Sequence, residues 1–211
     1  MKRFILLLLT FVIASNTMDA KLTDLLPRAK FAKKLNAKGF RLSRAIQITD
    51  SSNTLILKEF FTEHGCTIKP NARAKVVVNL TDRIEGTEDY HLAGYENEAY
   101  RLAIYPSTIE IKAVSPVGVI RATQTLEMLA EGYGSTPCLE AVDIIDYPAF
   151  KLRGFMHDVG RSFISIDELK KQIRLLAHFK VNTFHWHLTE NQAWRFEVKA
   201  FPQLTASSAM T

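Results

Sequence analysis

The feature that most constrains the fold is a strand–helix–strand pattern in the last third of the chain. Residues 152–159 and 181–188 are short apolar runs of the length typical of strands. Between them, Ser165 and Glu168 have the spacing of a capping box, and apolar residues recur at helical intervals to about Lys180. A helix that crosses from one strand to the next predicts a parallel pair.

Such a unit does not make a domain by itself. Two parallel strands and one helix leave one sheet face, both strand edges and part of the helix without partners. The natural continuation is a (β/α)8 TIM barrel, which needs about 250 residues. We therefore predict that residues 150–211 are the start of a barrel, truncated in this chain.

The preceding region predicts a separate small α/β domain. Its alternating apolar pattern and its turn residues indicate strands at 40–48, 74–80, 100–105 and 108–113, and helices from Leu55 to about Gly65 and at 117–130. This mixture of elements is typical of one α/β (α+β) layer structure. A segment rich in Gly, Ser and Pro at 132–137 closes it, and we place the domain at residues 21–149.

The amino terminus predicts export. Lys2 and Arg3 precede an apolar run at residues 4–14 and then polar and small residues. This is the pattern of a secretory signal peptide, and the run is shorter than the roughly 20 residues that span a bilayer. We assign residues 1–20 to the signal peptide and expect a periplasmic or extracellular protein with no stable membrane anchor.

The net charge of +5 and the pI near 9.2 could indicate a nucleic-acid partner. The basic residues are scattered, however, apart from a cluster for which we favour a solvated basic face, since no aromatic residues are interleaved with it. The cluster consists of Arg28, Lys30, Lys33, Lys34 and Lys38. We therefore predict no nucleic-acid partner.

Cys66 and Cys138 are the two cysteines of the chain. In an oxidising compartment they could form a disulfide, but the sequence does not place them within reach of each other. Their separation fits no metal-binding motif. A disulfide and two free thiols are both compatible with the sequence.

Two runs carry a resemblance to a known family. Residues 146–161, DYPAFKLRGFMHDVGR, resemble the barrel entry of family 20 glycoside hydrolases, the β-N-acetylhexosaminidases. Residues 185–195, HWHLTENQAWR, resemble the segment that follows their second barrel strand, and FPQLT at 201–205 continues the likeness. The preceding unit is similar to the small domain that stands before the barrel in that family, with Gly118 and TQTL at 123–126 as its closing signature. The resemblance spans nearly everything after the signal peptide.

The resemblance implies two substrate-binding residues. Active sites of these barrels form where strands end, and Arg161 follows the first predicted strand while Glu190 and Asn191 follow the second. By resemblance Arg161 holds sugar hydroxyls, which suits a guanidinium with its fixed fork of donors; a surface ion pair is the alternative. The family usually has two consecutive aspartates where this chain has Glu190 and Asn191, and the first helps to hold a later histidine. Glu190 keeps that charge on a longer side chain, whereas Asn191 loses it.

Other residues near the strand ends have more than one interpretation. His185 and His187 lie two apart and could bind a metal, but we favour packed, hydrogen-bonded histidines, because we find no further ligand cluster, and we predict no metal or cofactor. We interpret Asp158 as a structural anchor and not as a catalytic acid. Trp194 is a candidate neighbour of the sugar, whereas Trp186 should pack under a helix.

The resemblance also implies the chemistry and what is missing. In this family the 2-acetamido oxygen of the substrate attacks the anomeric carbon, an aspartate orients it and an adjacent glutamate protonates the leaving group. No such Asp-Glu pair matches any part of this chain, so we place no catalytic residue within it. Two functions stay open: a fragment of an exohydrolase that removes terminal N-acetylhexosamine from glycans, or a non-catalytic remnant that binds carbohydrate or a partner.

Overall fold

The structure is a computed structural model that describes residues 22, 25–50, 52, 55–87, 96–131 and 138–206. The predicted signal peptide and the segment at 132–137 lie outside these residues. Within the described ranges, no helix has the length and apolar character needed to cross a bilayer.

The amino-terminal unit contains most of the secondary structure. Its helices are α1 (Leu55–Glu63) and α2 (Pro116–Ala130), and a 3-10 turn spans Glu96–Glu98. Its strands are β1 (Phe31–Lys34), β2 (Phe40–Arg41), β3 (Ala45–Asp50), β4 (Thr67–Ile68), β5 (Ala74–Leu80), β6 (Tyr100–Ile104), β7 (Thr108–Ala113), β8 (Cys138–Leu139) and β9 (Val142–Asp146).

A seven-stranded mixed sheet forms the centre of this unit, in the order β1-β9-β6-β7-β5-β3-β4. Half of the sheet is parallel: β3 pairs in parallel with β4 and β5, and β5 pairs in parallel with β7. The other half is antiparallel, because β6 pairs with β7 and β9, and β9 pairs with β1, in antiparallel fashion. The two helices pack against each other, and α2 also contacts β6 and β7. The core lies between helices and sheet, and its largest fully buried side chains include Phe40, Phe61, Tyr100, Ile111 and Leu126.

Helix α2 lies unusually close to the sheet because of its sequence. Ser115 caps it by accepting a hydrogen bond from the Val117 amide at 3.0 Å, and Pro116 occupies its first turn. A Cβ atom on Gly118 would lie 2.6 Å from the Ala99 carbonyl oxygen and 3.0 Å from the Ala113 Cβ. The helix can therefore approach β6 and β7 this closely only with a glycine at this position.

The predicted strand at 40–48 is divided in two. Ser43 has a positive φ of 57°, which is uncommon for a residue with a side chain. The backbone turns there, so that β2 pairs with β8 and β3 enters the main sheet. The sequence prediction also omitted β1, β4, β8 and β9. Three of these are short or lie at sheet edges, where an alternating pattern is weak.

The two cysteines do not form a disulfide. Cys66 is buried and Cys138 is half-buried, and both are free thiols. Burial raises the pKa of the Cys138 thiol. Of the predicted basic cluster, Lys33 and Lys34 lie on the exposed edge strand β1, where lysine discourages pairing with another chain.

The carboxyl-terminal unit has the predicted strand–helix–strand order: β10 (Gly154–Asp158), α3 (Ile166–His178) and β11 (Thr183–His187). The strands pair in parallel. The Ser165 hydroxyl accepts from the Glu168 amide at 3.2 Å, as the capping box predicts. A short hairpin of β12 (Thr189–Glu190) and β13 (Ala193–Trp194) and a 3-10 turn at Pro202–Thr205 follow. The α/β fold class predicted from the sequence is confirmed.

The two units are joined by buried charged groups that the sequence did not predict. Lys180 follows α3 and donates to the Asp146 carboxylate at 2.8 Å and to the Tyr100 hydroxyl at 2.9 Å. Tyr100 also donates to Asp146 at 3.1 Å and shares a hydrogen bond of 2.5 Å with Thr125. Burial lowers the pKa of Lys180, and the Asp146 carboxylate opposes that shift.

A second buried cluster of charged side chains, around Glu98, lies beside the cluster of Lys180, Asp146 and Tyr100. The Glu98 carboxylate accepts from Arg121 Nε at 2.7 Å and from Arg153, which precedes β10. Arg153 also donates to the Lys180 carbonyl at 2.8 Å, so that the two groups are continuous. Desolvation raises the pKa of Glu98, but its hydrogen bonds with Arg153 and Arg121 outweigh this and lower it overall. The segments that lead into β10 and β11 are therefore both held against the small domain.

Replacement of Lys180 should destabilise the protein strongly. The Lys180→Met variant leaves the Asp146 carboxylate buried without its counter-ion, at an expected cost of about 3–5 kcal/mol in the free energy of unfolding. Chemical denaturation measures this change. The control is Lys171→Met on α3, whose exposed pair with Glu168 should contribute about 1 kcal/mol or less. Equal stabilities of the two variants would contradict the assigned role.

Glu98 should make this junction sensitive to acid. The pKa of Glu98 is lowered from 4.5 in the folded state. The contribution of the Glu98 carboxylate to the free energy of unfolding is therefore fully present above pH 4.5 and is lost as the pH falls through the folded-state pKa. The stability advantage of the wild type over Glu98→Gln should therefore shrink as urea unfolding is repeated below pH 4.5. The exposed Glu110→Gln variant on β7 is the control, and an advantage of Glu98 that persists undiminished at pH 3 would be inconsistent with the assignment.

Candidate functional site

The candidate site lies where the two parallel strands end. Asp158 and His187 are the last residues of β10 and β11 and are partners in the strand register. Arg161 follows one strand by three residues and Glu190 follows the other by three. Because the strands are parallel, both connecting segments leave from the same edge of the sheet, which brings these four side chains together.

The hairpin of β12 and β13 positions Glu190. Glu190 pairs with Ala193 across a two-residue turn, so that the segment folds back toward the strand ends. Gly160 allows this close approach, since a Cβ atom there would lie 2.9 Å from Glu190 Cβ and 3.2 Å from Asp158 Oδ1. The hairpin therefore rests directly on the backbone that leads to Arg161.

Arg161 is held by two carboxylates. Its Nη1 lies 2.9 Å from Asp158 Oδ2 and its Nη2 lies 2.7 Å from Glu190 Oε2. The Arg161 amide also donates to Asp158 Oδ1 at 3.1 Å. The side chain of Arg161 is 57% exposed while both acids are mostly covered. The carboxylates thus fix the guanidinium from one side and leave it accessible from the other.

Asp158 remains ionised in this arrangement. Desolvation acts to raise its pKa, but the backbone hydrogen bond from Arg161 and the charges of His187 and Arg161 lower it overall. His187 Nδ1 lies 3.3 Å from Asp158 Oδ2, and His187 Nε2 lies 4.0 Å from Glu190 Oε2. Asp158 therefore holds Arg161 in place, and its interpretation as a structural anchor stays a prediction.

The same groups offer possible metal ligands. One ligand atom from each of Asp158, His187 and Glu190 lies within 4.8 Å of the others, so the sequence argument that nothing could complete a ligand set was wrong. Arg161, however, contacts both carboxylates, and a cation would have to displace a guanidinium of the same charge. The arrangement is chemically an ion-pair network.

The histidine prediction was partly wrong. His187 is half-buried and paired with Asp158, but His185 is exposed and so is not packed in a core. The two rings lie 6.1 Å apart, on the sheet face that Asp158 shares. Trp186, on the opposite face, is 40% exposed, so the prediction that a helix covers it was also wrong. Among the described elements, α3 approaches α2 more closely than it approaches these strands.

Asn191 and Trp194 lie on the hairpin that carries Glu190. The Asn191 amide donates to Glu190 Oε1 at 3.1 Å, so its backbone helps to orient that carboxylate. Trp194 is half-buried, and its indole Nε1 donates to the Phe196 carbonyl at 2.5 Å. The structure thus brings Asp158, Arg161 and Glu190 together and adds His187, which the sequence analysis did not assign to the sugar site, and Gly160, which it missed. A signal for His187 was available in the sequence, because Asp158 and His187 both lie near the ends of the two strands that were predicted to pair in parallel.

Comparison with known proteins identifies both units. The model of glycosyl hydrolase family 20, domain 2, matches residues 22–147, and that of the family 20 catalytic domain matches residues 150–211. The chain is 42% identical over 107 residues to a β-hexosaminidase of Vibrio furnissii, covering 51% of this chain and 18% of that protein. A β-N-acetylhexosaminidase of Cellulomonas fimi is 40% identical over 116 residues, covering 54% of this chain and 23% of that protein.

Solved structures give the same result. The exo-β-N-acetylglucosaminidase of Vibrio harveyi, crystallised with N-acetylglucosamine, aligns with a TM-score of 0.67 and 29% identity over 88% of this chain and 28% of that one. The β-N-acetylhexosaminidase of Bacteroides fragilis aligns with a TM-score of 0.68 and 26% identity, over 86% of this chain and 36% of that one. The chain therefore spans about a quarter or less of the length of the curated relatives described above.

A methyl group at Gly160 should disturb the site. The methyl group of Gly160→Ala would clash with Glu190 and Asp158 and displace them from residue 160, and overpacking of this kind costs about 1–3 kcal/mol. Gly154→Ala on β10 is the matched control, since its nearest atoms would be 3.7 Å away. Unfolding experiments and the Arg161 side-chain NMR signal measure the effect. An Arg161 signal unchanged in Gly160→Ala would argue against contact between hairpin and strand end.

Proposed function

The chain belongs to glycoside hydrolase family 20, and on that premise we propose that it is the amino-terminal part of an exported β-N-acetylhexosaminidase. Residues 1–20 are its signal peptide, residues 21–149 its small domain and residues 150–211 the start of its catalytic barrel. The substrate is a glycan or glycoconjugate that ends in N-acetylhexosamine. Support for that substrate class comes from the relatives, one of which was crystallised with N-acetylglucosamine.

The geometry of Arg161 carries this proposal. A guanidinium at the end of a barrel strand, clamped by two carboxylates and open on its other side, suits the recognition of neighbouring sugar hydroxyls. Preorganisation of this kind reduces the entropy lost when the ligand binds. Arg161 therefore contacts the terminal sugar, and Asp158 positions it.

The geometry gives Glu190 a role in addition to the one implied by the resemblance. The family's residue at this place helps to hold a histidine supplied later in the barrel, whereas in this chain the Glu190 carboxylate lies 2.7 Å from Arg161 Nη2. The additional methylene of glutamate lets its carboxylate reach Arg161 from the hairpin. Asn191 supports Glu190 through its backbone, and Trp194, on the second strand of the same hairpin, is the candidate neighbour of the sugar.

Exposed apolar side chains around the strands support the proposal of an incomplete barrel. Phe155, Met156, Phe163, Ile166 and Trp186 are all more than a third exposed, and β10 and β11 form a two-stranded sheet among the described residues. In a complete barrel, neighbouring strands and helices bury such positions.

Catalysis requires groups that no residue of this chain matches. The reaction proposed is substrate-assisted, with the 2-acetamido oxygen as nucleophile and retention of configuration. The aspartate that orients the acetamido group and the glutamate that protonates the leaving oxygen belong to a later barrel strand. This chain alone therefore binds the terminal sugar weakly and has no hydrolase activity.

Arg161→Ala should lower kcat/KM in a protein that includes the whole barrel. Loss of charge-assisted hydrogen bonds to the sugar should cost about 2–4 kcal/mol of transition-state stabilisation, or roughly 30- to 900-fold in rate. Glu190→Ala should have a smaller effect, because it supports Arg161 and does not contact the sugar. Kinetics with an aryl N-acetylglucosaminide measure both.

Arg174→Ala is the control, an exposed arginine on α3 whose removal should leave kcat/KM unchanged. Wild-type kcat/KM for Arg161→Ala would refute the sugar-binding role. Measurable hydrolysis by residues 21–211 alone would show that the catalytic groups lie within this chain. Absence of hydrolysis in the extended protein would favour the non-catalytic alternative.

A further inference from the structure

A cavity of about 260 Å³ lies at the junction of the two units, apart from the site at the strand ends. One wall consists of the buried charged side chains that join the units: Glu98, Arg121, Asp146, Arg153 and Lys180. Sites for small molecules are often found between structural units, because concave surfaces form there. This cavity is close to the lower limit of roughly 300 Å³ for such sites.

The charged wall has an excess of positive charge. Three cationic side chains, those of Arg121, Arg153 and Lys180, face two carboxylates, and each of the five is at most 16% exposed. A buried charge without a counter-ion is costly, because the surrounding protein solvates it poorly. The exposed residues Arg28 and Lys30 at the rim add charge of the same sign. The cavity is therefore electrostatically suited to an anion.

The wall also retains unused hydrogen-bond donors. Arg121 donates through Nε to Glu98 and through Nη1 to Gln124, which leaves its Nη2 without an acceptor among the described residues. The ammonium of Lys180 carries three N–H groups, of which two are used, toward Tyr100 and Asp146. A bound carboxylate or phosphate group could accept from both residues at once.

The cavity is also lined by apolar side chains. Pro148, Ala149 and Phe150, in the segment that connects the units, contribute to its lining together with Tyr147. The volume is several times the roughly 30 Å³ that one water molecule occupies in the liquid. An inorganic oxyanion alone would leave much of this space and the apolar side chains without contact.

We propose that this cavity binds a small organic anion. Its carboxylate or phosphate group accepts hydrogen bonds from Arg121 and Lys180, and its hydrocarbon part lies against Pro148 and Phe150. The ligand contacts both units, so its binding stabilises their docking. The inference concerns the junction alone and does not depend on the proposed hydrolase activity.

Phenyl phosphate is the probe, measured against the chain by calorimetry and thermal unfolding at constant ionic strength. It should bind saturably and raise the melting temperature more than inorganic phosphate does, while phenol, which lacks the charge, should have no effect. Arg121→Lys keeps the charge but loses Nη2, and should weaken phenyl phosphate binding by about tenfold. Circular dichroism verifies that this variant folds.

A second variant leaves the charged groups intact. Ala149 lines the cavity and is exposed, and Ala149→Trp should fill the cavity and abolish binding. Ala200→Trp introduces the same side chain at an exposed alanine that does not line the cavity, and should bind as the wild type does. An effect of phenyl phosphate no larger than that of chloride, or equal affinities in the two tryptophan variants, would overturn the proposal.

Discussion

The arrangement of the whole molecule depends on the ion pair between Lys180 and Asp146. Lys180 follows the helix of the carboxyl-terminal unit, Asp146 ends the last strand of the small domain, and both are buried. Tyr100 and Thr125 complete the hydrogen bonds around them, and burial raises the pKa of Tyr100 so that its hydroxyl stays protonated and can donate. Without such satisfied partners, buried charges would destabilise the junction instead of fixing it.

This junction explains how the strand–helix–strand unit is held in place. Two parallel strands and a helix cannot bury their own apolar faces, and several of those side chains are exposed here. The small domain holds the unit at one end of its strands. Arg153, which precedes β10, and Lys180, which precedes β11, both form ion pairs with carboxylates of the small domain. The opposite ends of the same strands carry Asp158 and His187, so docking at one edge orients the candidate site at the other.

The candidate site follows the same principle on a smaller scale. Arg161 lies at an exposed position but is held by Asp158 from its own loop and by Glu190 from the neighbouring hairpin. Gly160 removes the side chain that would keep the two segments apart. A cation fixed by carboxylates on one side and open on the other is preorganised for a polar ligand. The glycine that directly precedes Arg161 in the sequence is therefore one reason why this binding geometry can form.

The sequence by itself determined the strongly patterned local elements and the resemblance to the family. Periodicity and capping residues located α2, α3, β10 and β11, and two motifs placed Arg161 and Glu190 at strand ends, because these signals depend on neighbours along the chain. Only the tertiary structure decided that Glu190 contacts Arg161, that His185 is exposed, and that Lys180 pairs with Asp146. These facts depend on side chains separated by up to 34 residues that meet only once the strands have paired and the units have docked. No pattern along a single sequence records such distances.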